Sequence, residues 1–220
     1  MRGGLRSVLV LLALSVFCMS AQAGMIINGS FEAPLVTVGG FTTFSTGSTA
    51  ITGWRVVGPN VSVISGTFSE RGIAFEAKDG QQWLDLTGHG TNSNADGVTQ
   101  DVATAVGQMY RLTFYVGSAT DGSLYFPSTV DLSINGGTRI GFTNPTAPTN
   151  MLNWESFTVD FMATGSTTNI SFYNGSAINN NLSGLDSVSL EPLAVPEPSG
   201  LILAGTGAVV MLGYGRRRRR

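Results

Sequence analysis

The segment MYRLTFYV, residues 109–116, contains the pattern that decides the fold. Every second residue from Tyr110 to Val116 is apolar, and Arg111, Thr113 and Tyr115 lie between them. A β-strand places successive side chains on opposite faces, so a period of two residues puts the apolar set on one face. The segment therefore predicts a strand with one face in a hydrophobic core.

The same alternation recurs in ESFTVDFMA (155–163), STVDLSING (128–136) and TNISFYNG (168–175). Gly, Asn, Ser and Thr clusters separate these segments, as turns between strands require. Further strands are predicted at 51–57, 61–65, 82–86, 98–102 and 186–190. No segment has the period of an amphipathic helix. We therefore expect an all-β fold, a jelly-roll β-sandwich formed by one domain at residues 24–194.

The first 23 residues have the three parts of a secretory signal peptide. Two arginines precede an apolar run, and the small residues of Ala-Gln-Ala follow it. Cleavage would fall between Ala23 and Gly24. The alternative is an uncleaved membrane anchor, for which the apolar run is short.

Residues 195–220 contain a second targeting pattern. Pro196 and Pro198 favour an extended, accessible segment. The uncharged run 201–214 would form a helix of about 21 Å, shorter than the roughly 30 Å hydrocarbon core of a membrane. Five arginines at 216–220 should stay on the cytoplasmic side. A nucleic-acid patch is the other interpretation of these arginines, and an exported chain disfavours it.

These three parts, in this order, resemble the PEP-CTERM sorting signal. The motif itself corresponds to Val195, Pro196, Glu197 and Pro198. The resemblance implies transient anchoring in the inner membrane and removal of the tail by an exosortase, a membrane cysteine peptidase. It also implies a Gram-negative bacterium, with the protein at the cell surface or in an extracellular polysaccharide matrix.

The charge of the predicted domain restricts its partners. Residues 24–194 contain five basic and thirteen acidic side chains, a net charge of −8, whereas the full chain has −2. The single cysteine, Cys18, lies in the signal peptide. An acidic domain repels nucleic acid and anionic lipid, and it suits calcium and neutral sugars.

Six segments between residues 26 and 190 resemble, in their order, the choice-of-anchor C family. They are IINGSFE, ITGWRVVG, DGQQWLDLTG, GVTQDVATAVGQMYRLTFYVG, NWESFTVDFMATGSTTNISFYN and GLDSVSL. This family is related to uncharacterised plant cell-wall domains, whose cysteines are absent here. The resemblance implies a galactose-binding-like jelly roll and carbohydrate binding.

The same resemblance implies a structural calcium where the first and last strands meet, with Glu32 and Asp186 as the matching positions. Carboxylates suit a hard cation that needs six to eight oxygen ligands. The alternative is that Glu32 caps a turn and Asp186 is a solvated residue at the start of a strand. The NSNADG segment, 92–97, has an EF-hand-like spacing, but Ala103 stands where the bidentate glutamate is needed.

Three aromatic residues are candidates for ligand contact: Trp83, Trp154 and Tyr115. In the alternation of its strand, each falls on the face opposite to the residues that are predicted to point inward. Exposed aromatic rings can stack on the C–H faces of sugars. The alternative for each, as for Trp54, is a place in the core.

Catalysis has little support in the sequence. His89 is the only histidine, and no nucleophile elbow accompanies it. We therefore expect a non-catalytic protein that binds carbohydrate. The alternatives are a structural matrix protein without a ligand and a glycan-cleaving enzyme.

Overall fold

The computed structural model describes residues 25–123, 125–176, 180 and 182–194. The predicted signal peptide, its cleavage position and the predicted sorting helix lie outside these residues. Within the described part, no helix has the length and apolarity needed to span a membrane.

The strands form two large sheets and one hairpin. The larger sheet contains β1 (Phe41–Ser45), β3 (Asn60–Ser65), β6 (Gln82–Asp85), β8 (Met109–Ser118), β11 (Asn153–Met162) and β13 (Gly184–Pro192). The smaller sheet contains β2 (Arg55–Val57), β7 (Gly97–Ala103), β9 (Ser128–Ile134), β10 (Ile140–Asn144) and β12 (Thr167–Asn174). The hairpin consists of β4 (Ser69–Glu70) and β5 (Ile73–Ala74).

The topology is that of a jelly-roll sandwich, so the predicted fold class is confirmed. The order in the six-stranded sheet is β1-β3-β6-β13-β8-β11, and in the five-stranded sheet it is β10-β9-β12-β7-β2. Strand pairs within both sheets are antiparallel. Consecutive strands repeatedly change sheet, which brings distant parts of the chain together.

The main core lies between the sheets, and Phe114 of β8 is at its centre. Its ring meets Phe142 of β10 at 5.2 Å and Phe172 of β12 at 5.0 Å, both between centroids and both edge to face. Leu112, Phe114 and Val116 are fully buried, as the alternation in residues 109–116 predicts. Burial of a large apolar side chain stabilises a fold by about 1.5–3 kcal/mol, so this set of residues fixes which face of β8 points inward.

One predicted strand is shorter in the structure, and four observed strands have no predicted counterpart. The predicted strand at 51–57 is confined to Arg55–Val57, because residues 51–54 form a turn in which the Trp54 amide donates to the Ile51 carbonyl. Gly53 has a φ of 82°, a conformation that favours glycine. Strands β1 and β10 were not predicted from the pattern. Both lie at sheet edges and expose most of their side chains, so they lack a strong apolar alternation.

Candidate functional site

Two paired glycines on the outer face of the six-stranded sheet leave room for the ring of a neighbouring tryptophan. Gly117 of β8 and Gly184 of β13 are paired there, and Trp154 of β11 is paired with Gly117 from the other side. A Cβ at position 117 would lie 2.8 Å from Trp154 Cζ3. The indole ring therefore lies on the sheet only because position 117 is glycine.

A short hairpin covers part of this face. Arg71 and Gly72, between β4 and β5, both have positive φ, as in the two-residue turns that suit hairpins. Arg71 Nη1 forms an ion pair with Asp121 Oδ2 at 3.0 Å, and Ala74 bridges Met151. These contacts hold the hairpin over a second hydrophobic core, formed by Ile64, Ile73, Phe75, Trp83, Ala119, Tyr125, Leu152 and Leu182.

The hairpin leaves a pocket of about 360 Å³ between itself and strands β1, β3 and β6. Five aromatic residues line this pocket: Phe41, Phe68, Phe75, Trp83 and Tyr125. Their rings contact one another in series, with centroid distances of 5.8 Å from Phe41 to Phe68 and 5.7 Å from Phe68 to Phe75. The pocket thus has mainly aromatic walls.

Polar groups converge on the same pocket from Ser62, Glu70, Asp85 and His89. The Tyr125 hydroxyl donates a 2.7 Å hydrogen bond to Glu70 Oε2. Burial raises the pKa of Tyr125, and the bond to Glu70 adds to the effect. The phenol therefore stays neutral and keeps Glu70 oriented as a hydrogen-bond acceptor.

Asp85 is a buried carboxylate at the base of the pocket. Its Oδ1 accepts hydrogen bonds from the Thr87 and Ser183 amides, both at 3.0 Å, and its Oδ2 accepts one from Thr87 Oγ1 at 2.8 Å. Burial raises the pKa of Asp85 to about 6, although these three hydrogen bonds act in the opposite direction. The pocket therefore holds a carboxylate that burial destabilises in its charged form.

All three predicted ligand-binding residues lie on the outer face, in agreement with their phase. Trp83 is only 1% exposed, lines the pocket and donates from Nε1 to the Phe75 carbonyl at 3.0 Å. Trp154 is half-buried, meets Trp83 edge to face at 5.9 Å and lies outside the lining. Tyr115 also lies outside it, with Lys78 Nζ 4.7 Å from its ring centroid. Ligand contact by these residues stays a prediction.

Sequence reasoning missed most of the pocket. Phe41, Phe68 and Phe75 come from an edge strand and from segments beside the hairpin, where no regular period marks them. Asp85 was detectable in principle, because it has the same phase as Trp83 and lies between the inward residues Leu84 and Leu86.

The two predicted calcium ligands hold the same loop, which precedes β6. Asp186 Oδ2 accepts hydrogen bonds from the amides of Lys78 at 2.8 Å and Asp79 at 3.1 Å. Glu32 Oε1 accepts hydrogen bonds from the amides of Gln81 at 2.8 Å and Gln82 at 2.9 Å. The structure therefore brings Glu32 and Asp186 to opposite ends of one short segment.

Asp186 is fully buried, so its interpretation as a solvated residue is wrong. Burial raises its pKa to about 7, and the nearby charge of Asp79 contributes to the increase. A Cβ at Gly80 would collide with Glu32 Oε1, so only glycine permits this approach. Across the described residues, no group of three or more His, Cys, Asp or Glu side chains is close enough to hold a metal ion.

Carboxylates are donors that a hard cation accepts, but here the oxygens of Asp186 and Glu32 accept backbone amides of the loop, which accounts for their positions without a metal. Asp186 and Asp79 are carboxylates in mutual electrostatic contact, and Glu32 adds a third at the far end of the loop. A cation here would draw its remaining ligands from backbone carbonyls, which calcium accepts.

The EF-hand-like segment is a loop held by hydrogen bonds to Asp96. Asp96 is fully buried, and its carboxylate accepts hydrogen bonds from the Asn60 amide, the Ser93 amide and Thr91 Oγ1. These bonds use both oxygens to fasten the loop, which explains Asp96 without a metal.

The outer face of the five-stranded sheet has a different character. A recess of about 370 Å³ is lined mainly by polar residues, and Asn169 Nδ2 donates to Thr99 Oγ1 at 2.8 Å and to Asp101 Oδ1 at 2.6 Å. The single aromatic residue in its described lining, Trp54, is 1% exposed. The aromatic pocket on the larger sheet is therefore the better candidate site.

A family model described as "Protein of unknown function (DUF642)" matches residues 24–190. A second model, described as "PEP-CTERM protein-sorting motif", matches residues 194–220. No curated protein matches the chain.

Several solved structures are similar to this chain at low identity. A family 35 carbohydrate-binding module from Clostridium thermocellum is 14% identical, with a TM-score of 0.40; the match covers 68% of this chain and 97% of that one. TmCBM61, solved in complex with β-1,4-galactotriose, is 16% identical with a TM-score of 0.44, covering 78% of this chain and 100% of that one. The GH26-CBM35 β-(1,4)-mannanase of Podospora anserina is 16% identical with a TM-score of 0.45; the match covers 73% of this chain but only 29% of the mannanase.

We predict that Asp85 makes the protein less stable as the pH rises from about 4 to about 6. Its pKa is raised from 3.8 to about 6 on folding, so the folded protein binds more protons than the unfolded chain across this window. The cost of ionisation, up to about 3 kcal/mol, is absent below the window and complete above it. Asp85→Asn keeps an acceptor for the two amides and should flatten this part of the profile.

The measurement is the free energy of urea unfolding of the full chain, in mild detergent, at intervals across this window. Asp160→Asn is the matched control, because the partner Arg111 lowers the pKa of Asp160. Superimposable profiles for the native protein and Asp85→Asn would contradict the prediction.

Proposed function

The chain belongs to the DUF642 family of proteins of unknown function, and we propose that it is an exported, non-catalytic carbohydrate-binding protein. The aromatic pocket on the outer face of the larger sheet is the observation that carries this proposal. Its volume of about 360 Å³ lies within the roughly 300–1,000 Å³ typical of small-molecule sites.

The lining matches the two chemical sides of a sugar. The C–H faces of a sugar ring are apolar and pack on aromatic rings, which Phe41 and Phe68 supply. Sugar hydroxyl groups are hydrogen-bond donors and acceptors, and Glu70 and Ser62 offer oxygen atoms to them. A pocket with few polar groups on aromatic walls can thus bind and orient a glycan.

The hydrogen bonds of the two pocket carboxylates support binding rather than catalysis. Both oxygens of Asp85 accept bonds from Thr87 or Ser183, and Glu70 accepts the Tyr125 hydroxyl. A glycosidase requires one carboxyl group that delivers a proton to the glycosidic oxygen. Asp85 is instead occupied in fastening the end of β6 to the segment before β13.

The sorting motif at residues 194–220 indicates secretion through a system with transient membrane anchoring. We further propose that an exosortase removes the tail and that the domain then reaches the cell surface or extracellular matrix of a Gram-negative bacterium. An extracellular polysaccharide would be the ligand available there.

Calcium is the cofactor that this proposal includes. Asp186 and Glu32, with Asp79 between them in the chain, would hold the ion together with carbonyls of the loop at 76–82. Bound calcium would neutralise the Asp186 carboxylate, whose charged form burial destabilises, and so it would stabilise the fold. It takes no part in sugar chemistry in this proposal.

For the pocket, we predict that Phe41→Ala weakens glycan binding about tenfold, or about 1.4 kcal/mol. The Phe41 ring is 40% exposed at the rim, so its removal should affect stability little. Binding of the full chain to purified matrix polysaccharide and to neutral oligosaccharides is measured by calorimetry.

Two variants serve as controls for this measurement. Tyr115→Ala lies on the same face but outside the pocket, and Tyr173→Ala lies on the smaller sheet. Loss of binding with Tyr115→Ala alone would place the site elsewhere on this face. Absence of any binding, with and without calcium, would favour the structural matrix protein. Release of new reducing ends from the polysaccharide would favour the enzyme.

For calcium, we predict that EDTA lowers the melting temperature of the full chain and that calcium restores it. A ligand that binds only the folded state at a hundredfold excess over its Kd adds about 2.7 kcal/mol of stability. Asp186→Asn should abolish the response, whereas the surface variant Asp160→Asn should retain it. Equal melting curves in EDTA and calcium would contradict the prediction, provided that elemental analysis finds no retained ion.

For sorting, we predict that changing Pro196, Glu197 and Pro198 to Ala causes an uncleaved form to accumulate in the membrane. The motivation is the order of motif, apolar run and arginines at the C-terminal end of the chain. Fractionation and immunoblotting measure the retained and released forms. Equal release of the variant and the native protein would remove exosortase processing from the proposal.

A further inference from the structure

We propose that the aromatic pocket selects glycans by charge and prefers amino sugars with a free, protonated amine over acetylated or acidic sugars. This inference rests on the proposed carbohydrate binding and adds the chemical class of the ligand. It follows from the combination of carboxylates and aromatic faces in one cavity.

The pocket has an unbalanced negative charge. Glu70 and Asp85 both line it, and none of the described lining residues is Lys or Arg. Arg71 follows Glu70 directly, but its guanidinium extends to Asp121 at 3.0 Å. His89 is the remaining basic side chain of the lining, and its ring lies against Phe41 with 5.4 Å between centroids. The described lining therefore holds carboxylate charge without a paired Lys or Arg.

The walls add a second attraction for a cation. The face of an aromatic ring carries negative electrostatic potential, and cages of such rings recognise ammonium groups. Phe41, Phe75 and Tyr125 surround the same volume that Glu70 and Asp85 border. Phe75 and Tyr125 meet edge to face at 5.6 Å, so their faces point in different directions around the cavity.

An ammonium group would also relieve a cost that the fold already carries. The Asp85 carboxylate is 7% exposed, and burial without an opposite charge opposes its ionisation. A cation that enters the pocket supplies that charge in surroundings of low dielectric constant, where charge pairs attract more strongly than in water. A sugar carboxylate would do the reverse, because it would place a third negative charge in the cavity.

A matched pair of ligands isolates the amine. The β-1,4-linked tetramer of glucosamine and the tetramer of N-acetylglucosamine share length, linkage and hydroxyl groups, and they differ at the nitrogen. We expect the full chain, in mild detergent, to bind the glucosamine tetramer at least tenfold more tightly in calorimetry. The pH is kept above about 6, so that Asp85 is charged, and low enough that the amine remains protonated. Salt should reduce this preference, because it screens charge pairs that remain partly exposed.

Glu70→Gln tests the origin of the preference. Glutamine keeps a carbonyl acceptor for the Tyr125 hydroxyl and removes one negative charge from the pocket. We expect the affinities for the two tetramers to come within about threefold of each other, a difference of about 0.7 kcal/mol. Glu76→Gln is the matched control, since this exposed residue lies outside the lining and its substitution changes the net charge equally.

The outcomes separate this inference from the proposed function. Equal or tighter binding of the acetylated tetramer would overturn the charge selection and leave carbohydrate binding intact. An equal loss of preference in Glu76→Gln would also overturn it, because the preference would then come from the net charge of the protein. Absence of binding to both tetramers and to all neutral glycans would overturn the proposed function together with this inference.

Discussion

A single buried carboxylate, Asp186, holds the loop before β6 against the last strand. It lies at a bulge in β13, where Ser187 takes a positive φ of 50° and donates its amide to Asp186 Oδ1 at 2.6 Å. One residue further, the Val188 amide donates to the Gly29 carbonyl, so the first segment docks on the last strand. The loop that Asp186 holds leads directly into β6, which contributes Trp83 to the pocket. The geometry at the pocket therefore depends on a carboxylate that does not line it.

The larger sheet uses both of its faces for hydrophobic packing. An antiparallel sheet in a sandwich commonly presents one apolar and one polar face. Here the inner face packs on the smaller sheet, and the outer face supports a second core under the β4–β5 hairpin. The β4–β5 hairpin is too small to cover the whole apolar part of this outer face. The uncovered part forms a cavity with aromatic walls, and that cavity is the candidate site.

Residues 109–116 show what the sequence could predict and what it could not. The alternation of β8 was sufficient because one of its faces lies in the main core, and β12 likewise buries Ile170 and Phe172 there. The edge strand β11 also shows the alternation, because Phe157, Val159 and Phe161 pack half-buried against the same core. The hairpin was not predictable, since Ser69–Glu70 and Ile73–Ala74 are too short to show a period. Trp83 and Trp154 could be placed on the outer face from their phase. The extent to which these two side chains are buried could not be predicted, because it depends on the hairpin region, which is distant from Trp154 in sequence.

The pocket is assembled from residues far apart in the chain. Phe41, Tyr125 and Leu182 all line it, and β6 is paired with β13 through Asp85 and Gly184. Contacts of such long sequence separation form slowly, because closing a long loop costs entropy before any contact compensates for it. A chain that ends before residue 182 lacks Leu182 of the lining, and it also lacks Ser183 and Gly184, the partners of Asp85. The cavity therefore exists only once the domain is completely folded, and a partly folded chain lacks it.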